Sequence, residues 1–177
     1  MARENTLIQA ESLLNKSALV LGGSLLIAIA AQISVPMYPV PMTLQTLAIL
    51  LVGFAMGSRL GALAVVAYLV EGLVGLPVFA NGMNGAAFAG PTAGFLVGFI
   101  GLAWMAGFAA ERGLAKGVVG TAIAAIVASA ALYIPGILWP MTVAGATGIE
   151  AGWIARVFGS YYWAYFIAPF LVGDIVK

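Results

Sequence analysis

Asp174 and Lys177 stand three residues apart near the end of the sequence, so on a helix they share one face. In a membrane helix either charge alone costs about 2.5–3.5 kcal/mol to insert, so a partner or a polar cavity is expected. Amides to set beside them occur at Asn81 and Asn84, inside residues 75–98, which read GLPVFANGMNGAAFAGPTAGFLVG. An unsatisfied amide in hydrocarbon costs roughly 2–7 kcal/mol. Glycine-rich irregular backbone is tolerated at membrane depth only where it is buried in protein or lines a cavity. The stretch is therefore expected to be a re-entrant loop that forms one wall of a solute site. Gln45 adds an amide at the start of an apolar run, beside Thr43 and Thr46. Thr43 is expected to cap a helix, whereas Gln45 either joins the cap or points into a cavity. An acceptor, a cation and an amide suit a small amphipathic ligand with N–H donors and a carboxylate. The plainer reading of Asp174 and Lys177 is a pair of charges at a membrane interface or at a frayed chain end, and composition alone favours it.

The rest of the composition narrows the chemistry. The 177 residues are 63% hydrophobic and 7% charged, with a net charge of +1. Soluble domains are about 25% charged, so lipid is the solvent for most of this chain. No basic field points to nucleic acid. The absence of Cys and His removes thiol chemistry, imidazole catalysis and the usual zinc or haem ligands. No nucleophile–base set, metal cluster or phosphate-binding loop is present. The expectation is a protein that is not an enzyme and has no metal or cofactor, so any ATP-driven step must come from a partner.

The elements that position these residues follow from the apolar runs. Expected spans cover residues 18–35, 43–58, 60–76, 92–110 and 118–134; the chain end allows either a sixth span over 157–173, which Pro169 interrupts, or an incomplete one at 169–177. Three prolines at 36, 39 and 41 make a stiff loop after the first span. Gly57-Ser-Arg-Leu-Gly61 reads as a tight turn between the second and third. Glu71 lies about 18 Å along a helix from Arg59. An intramembrane carboxylate is a functional candidate, but an interfacial residue at the cavity mouth is the favoured reading. Pro91 and Thr92 suit a helix start, and Pro135-Gly136 is expected to stop the fifth span. In 94–101, GFLVGFIG, the glycines favour helix packing. Trp139, Trp153, Tyr161, Tyr162 and Trp163 suit a membrane–water interface, with an interfacial helix over about 153–166. Arg3, Lys16, Arg59, Arg112 and Lys116 fall on one side of the threaded chain, and Arg156 on the other. The positive-inside rule makes the first side cytoplasmic, with the N-terminus. The proline loop, the asparagine loop and the aromatic segment then converge on the outer face. The start carries no short basic region with a cleavage site, so the first run is expected to remain as a span.

Three pieces carry a resemblance: VPMTLQTLAILLVG at 40–53, GLPVFANGMNG…GPTAGFLVGF at 75–99 and PFLVGDIVK at 169–177. With the span spacing, the chain from about Ala18 resembles the BioY family, the biotin-specific substrate-binding subunits of energy-coupling factor (ECF) transporters. The resemblance implies an all-α membrane protein, a six-transmembrane-helix bundle of the S-component type, in a single integral membrane domain with its site near the outer face. It implies high-affinity biotin binding at the cell membrane. The implied partners are a coupling membrane subunit and two cytoplasmic ATPase subunits. Family binding residues carry over to Asp174 and Lys177, and to Asn84 or Asn81. Asp174 would accept from the ureido N–H groups, an asparagine would donate to the ureido oxygen and Lys177 would neutralise the carboxylate. The family runs some twenty residues past its GD-x-x-K motif, so the sixth helix is expected to start at Pro169 and to be truncated here. A subunit of the same architecture for another small vitamin, or a structural membrane protein with no solute, are the other readings.

Overall fold

A computed structural model describes residues 2–35 and 41–147. The proline loop's centre, the aromatic segment and the expected sixth span, with Asp174 and Lys177, lie outside the described residues. Helix α1 (Ala2–Gln32) carries a membrane-length apolar stretch, Leu13–Gln32. It ends short of the expected boundary at residue 35. Val35 precedes a proline, which disfavours helical backbone there, and Ser34–Val35 (β1) instead pairs antiparallel with Met42–Thr43 (β2). Ser34 stands opposite Thr43, and Val35 opposite Met42. This short ribbon is the base of the proline loop.

Helix α2 (Gln45–Leu73) covers the expected second and third spans, and Gly57 breaks it with φ 80° and ψ 176°. Only glycine takes that conformation cheaply. The chain folds back at this point. Gln45 hydrogen-bonds Tyr68, 23 residues later, whereas one straight helix would hold them about 35 Å apart. The two arms touch through small residues: a Cβ on Gly61 would lie 3.0 Å from the Cα of Gly53. Such close backbone approach is the usual device for packing helices in lipid, where apolar burial supplies little net drive.

After α2 the chain runs through two 3₁₀ turns, Ala80–Gly82 and Gly85–Ala89, into helix α3 (Ala93–Glu111). Pro91 and Thr92 sit in the turn before it. Thr92 donates to the Ala87 carbonyl at 3.3 Å and makes no N-cap bond. Helix α4 (Gly117–Thr147) passes through Pro135 and Pro140, so the expected stop at Pro135 is overturned. Proline is tolerated in membrane helices where neighbours accommodate the broken ladder. Here the neighbour is the glycine face of α3. A side chain at Gly94 would overlap the Pro135 carbonyl, and one at Gly98 would meet the proline ring at 2.7 Å. The packing expected of 94–101 is thus present at Gly94 and Gly98, while Gly101 faces open space.

The helices contact in the order α1, α2, α3, α4. α3 is central and most buried; α4 is peripheral, with Val118, Val119, Ile123, Ile126 and Val127 exposed. Ile27, Ile49, Val65, Tyr68, Phe79 and Leu102 form the heart of the core. All four helices are long and apolar enough to cross a membrane, and the fold at Gly57 makes α2 two antiparallel rods. One end of the bundle gathers the ribbon, both ends of α2 and the 74–92 loop. The other holds the Gly57 turn and the α3–α4 turn, where Ser58 meets Glu111.

Candidate functional site

The loop end is built from neutral polar groups. Gln45 is 5% exposed. Its Oε1 accepts from the Thr43 hydroxyl at 2.9 Å and its Nε2 donates to the Tyr68 hydroxyl. Tyr68, wholly buried, donates onward to the Val78 carbonyl at 3.2 Å. Thr43 also accepts from the Gln45 backbone N–H at 3.3 Å, but the N-cap of α2 is Leu44, with no side-chain cap bond, so the expected cap is a turn just ahead of the helix. The Gln45 amide joins that turn and continues it into the bundle, bridging the two arms of α2.

The asparagine loop packs down through aromatic rings. Phe79 is 2% exposed and stands edge-on to Tyr68 at 5.2 Å and to Phe88 at 5.8 Å. A side chain on Gly72 would occupy the space of the Phe79 ring. Asn81 takes a left-handed conformation, φ 59°, which asparagine tolerates better than most residues. Its Oδ1 accepts from the Ser34 hydroxyl at 3.0 Å. Asn84 precedes the second 3₁₀ turn, and its Oδ1 accepts from the Ala86 N–H at 3.2 Å. Both asparagines are exposed at the loop surface, and each uses its oxygen within the protein. In both, the amide N–H₂ remains a donor group with no acceptor among the described residues.

Gln32 and Tyr68 belong to this end, yet the sequence reading passed over both. Gln32, the last residue of α1, donates from Nε2 to the carbonyls of Val78 at 3.3 Å and Phe79 at 3.1 Å. Its Oε1 accepts from the Gly82 N–H at 3.2 Å. The available signals were modest: an amide closing an apolar run, and a tyrosine one helical turn before Glu71.

Glu71 does not sit free at a cavity mouth. Its Oε2 accepts from Ser24 at 2.6 Å, across the α1–α2 contact. Ser24 is completely buried, and a hydroxyl within reach makes the half-buried carboxylate a helix-to-helix bond. At the far end, Glu111 accepts from the Ser58 N–H at 2.8 Å and from its hydroxyl at 2.8 and 3.0 Å. Arg112 lies 4.8 Å above the Phe108 ring, which stacks on Trp104.

Apolar helices joined by a folded loop over one end define a multi-pass membrane protein. The fold matches a crystal structure described as the S-component for biotin from an ECF-type ABC transporter, with a TM-score of 0.65 over 94% of this chain and 82% of that one, at 20% identity. The chain belongs to the BioY family, whose model matches residues 3–177. A biotin transporter BioY of Rhizobium etli is 36% identical over 148 residues, which is 82% of this chain and 75% of the relative. One from Rhodobacter capsulatus is 38% identical over 176 residues, 92% and 86% of the two chains.

Proposed function

We propose that this chain is the biotin-binding membrane subunit of an ECF-type vitamin uptake transporter. The observation that carries the reading is the family match over residues 3–177, with relatives over a third identical that are biotin transporters. Biotin carries two ureido N–H donors, a ureido oxygen and a carboxylate. Asp174 would accept from the N–H groups, Asn84 or Asn81 would donate to the oxygen, and Lys177 would neutralise the carboxylate. The donor role suits both asparagines, whose oxygens are engaged while their amide N–H₂ groups are not. Gln45 belongs to the site's wall and acts through Tyr68. A sixth helix beginning at Pro169 would bring Asp174 and Lys177 to the loop end. The basic end, with Arg59, Arg112 and Lys116, would face the cytoplasm by the positive-inside rule. A coupling membrane subunit and two ATPases would supply the energy.

Calorimetric titration of the purified protein with biotin, beside a panel of other vitamins, tests the reading. Saturable binding of biotin alone is expected. Binding of a different vitamin with none of biotin would transfer the site to that vitamin, and a flat titration with all of them would remove the transport reading. Asp174→Ala is expected to abolish binding; unchanged affinity would remove Asp174 from the site.

A further inference from the structure

The polar contacts at the loop end form a chain that starts and finishes at the ribbon. Ser34 and Thr43 face each other across the ribbon. Thr43 donates to Gln45, Gln45 to Tyr68, and Tyr68 to the Val78 carbonyl. Three residues on from Val78, Asn81 accepts from Ser34, and the path returns to the ribbon. Gln32, exposed at the end of α1, braces it, holding the carbonyls of Val78 and Phe79 and the N–H of Gly82. The Val78 carbonyl is thus gripped twice, by Gln32 from α1 and by Tyr68 from α2. Backbone in this irregular segment has no regular ladder to satisfy it, so these side chains fix where it lies.

We infer that Gln32 and Tyr68 are positioning residues for the ligand, which lock the asparagine loop against the ribbon so that the Asn81 and Asn84 amides keep one place. The inference rests on the biotin-binding reading. Neither residue is placed to touch the ligand itself. Both polar atoms of Gln32 are engaged with the loop backbone, and the Tyr68 hydroxyl both accepts and donates. Their effect must pass through Asn81 and Asn84, whose amide groups ride on the segment they hold. The ribbon enters through Ser34 and Thr43, so loosening one loop releases a tether of the other.

The test uses the purified protein with Gln32→Glu, Tyr68→Phe and the double variant. Gln32→Glu keeps an acceptor for the Gly82 N–H and loses the donor to two carbonyls. Tyr68→Phe keeps the ring against Phe79 and loses the hydroxyl. The first readout is the biotin dissociation rate; the second is hydrogen exchange, without ligand, in peptides covering residues 33–46 and 76–86. Each single variant loses two of these hydrogen bonds, of which only a part is felt at the ligand, and is expected to speed dissociation about three- to tenfold, with association nearly unchanged. Exchange is expected to rise in both peptides, and the double variant to show less than the product of the single effects. Faster exchange confined to 76–86, or an unchanged dissociation rate, would overturn the shared tether of loop and ribbon. Should Tyr68→Phe not fold, Gln32→Glu at the end of α1 decides by both readouts. Failure of the wild-type protein to bind biotin would remove the ligand reading, while the exchange measurement would still report whether the loops are joined.

Discussion

At the basic end the chain reverses through short turns held by a carboxylate; at the loop end it reverses through longer segments held by amides and hydroxyls. The Gly57 turn is locked by three bonds from Ser58 to Glu111 and by backbone so close to Gly107 that no side chain fits there. The ribbon and the 74–92 loop rest instead on neutral hydrogen bonds from Gln32, Thr43, Gln45, Tyr68 and Ser34 and on the buried Phe79 ring. Close backbone packing cannot be rearranged by small steps. Single neutral hydrogen bonds contribute about 0.5–1.5 kcal/mol each and exchange readily for others. One end is suited to staying fixed, the other to receiving a solute.

The largest effect is expected from Gly107→Val. Its side chain must overlap the backbone of Gly57 and Ser58, which places it at the costly end of overpacking, about 3 kcal/mol. Loss of monodisperse protein in size-exclusion chromatography is the expected result. Gly82→Ala, with φ 69° and open space around it, should cost only about 1–2 kcal/mol of backbone strain. A tolerated Gly107→Val beside a ruinous Gly82→Ala would reverse the assignment of rigid and yielding ends. Next comes Gln45→Leu, which removes the N–H donated to the buried Tyr68 hydroxyl while its bond to the Val78 carbonyl remains, and should cost about 0.5–1.5 kcal/mol in a thermal melt. A neutral result would mean that the link between the arms of α2 carries no weight. Ser58→Ala, which removes one hydroxyl while the backbone bond to Glu111 remains, should lower the melting temperature by a few degrees and leave biotin affinity unchanged. A loss of affinity would show that the two ends are coupled. Smallest for stability is Asn84→Asp, which preserves the cap on Ala86 and should stay within about 0.5 kcal/mol in a melt. The same variant should weaken biotin binding about tenfold by removing an N–H donor, and unchanged affinity would point to Asn81.

The apolar runs were legible because lipid leaves a strong compositional trace, and the turn at Gly57 because glycine and arginine interrupt an apolar stretch there. The α4 helix misled for a physical reason. Pro135 stops helices in water, but against the glycines at 94 and 98 it packs as a flat surface. The end of α1 was blurred because Val35 is apolar whether it is helical or in a ribbon. At the candidate site, Asn81, Asn84 and Gln45 stood out as polar residues in an apolar setting. Gln32 and Tyr68 did not, because their importance lies in partners 46 to 50 and 10 to 23 residues away, which no local pattern encodes.

The fold at Gly57 has a consequence for how the protein enters the membrane. A helix that inserts by itself needs about 20 apolar residues, whereas the 29 residues of α2 are divided between two arms. Neither arm is a self-sufficient insertion unit, although their sum reads as one long segment during synthesis. Paired through Gly53 and Gly61, the two arms together present the apolar surface that neither presents alone. Arg59 in the turn between them is then the charge by which the positive-inside rule would orient the pair as one unit.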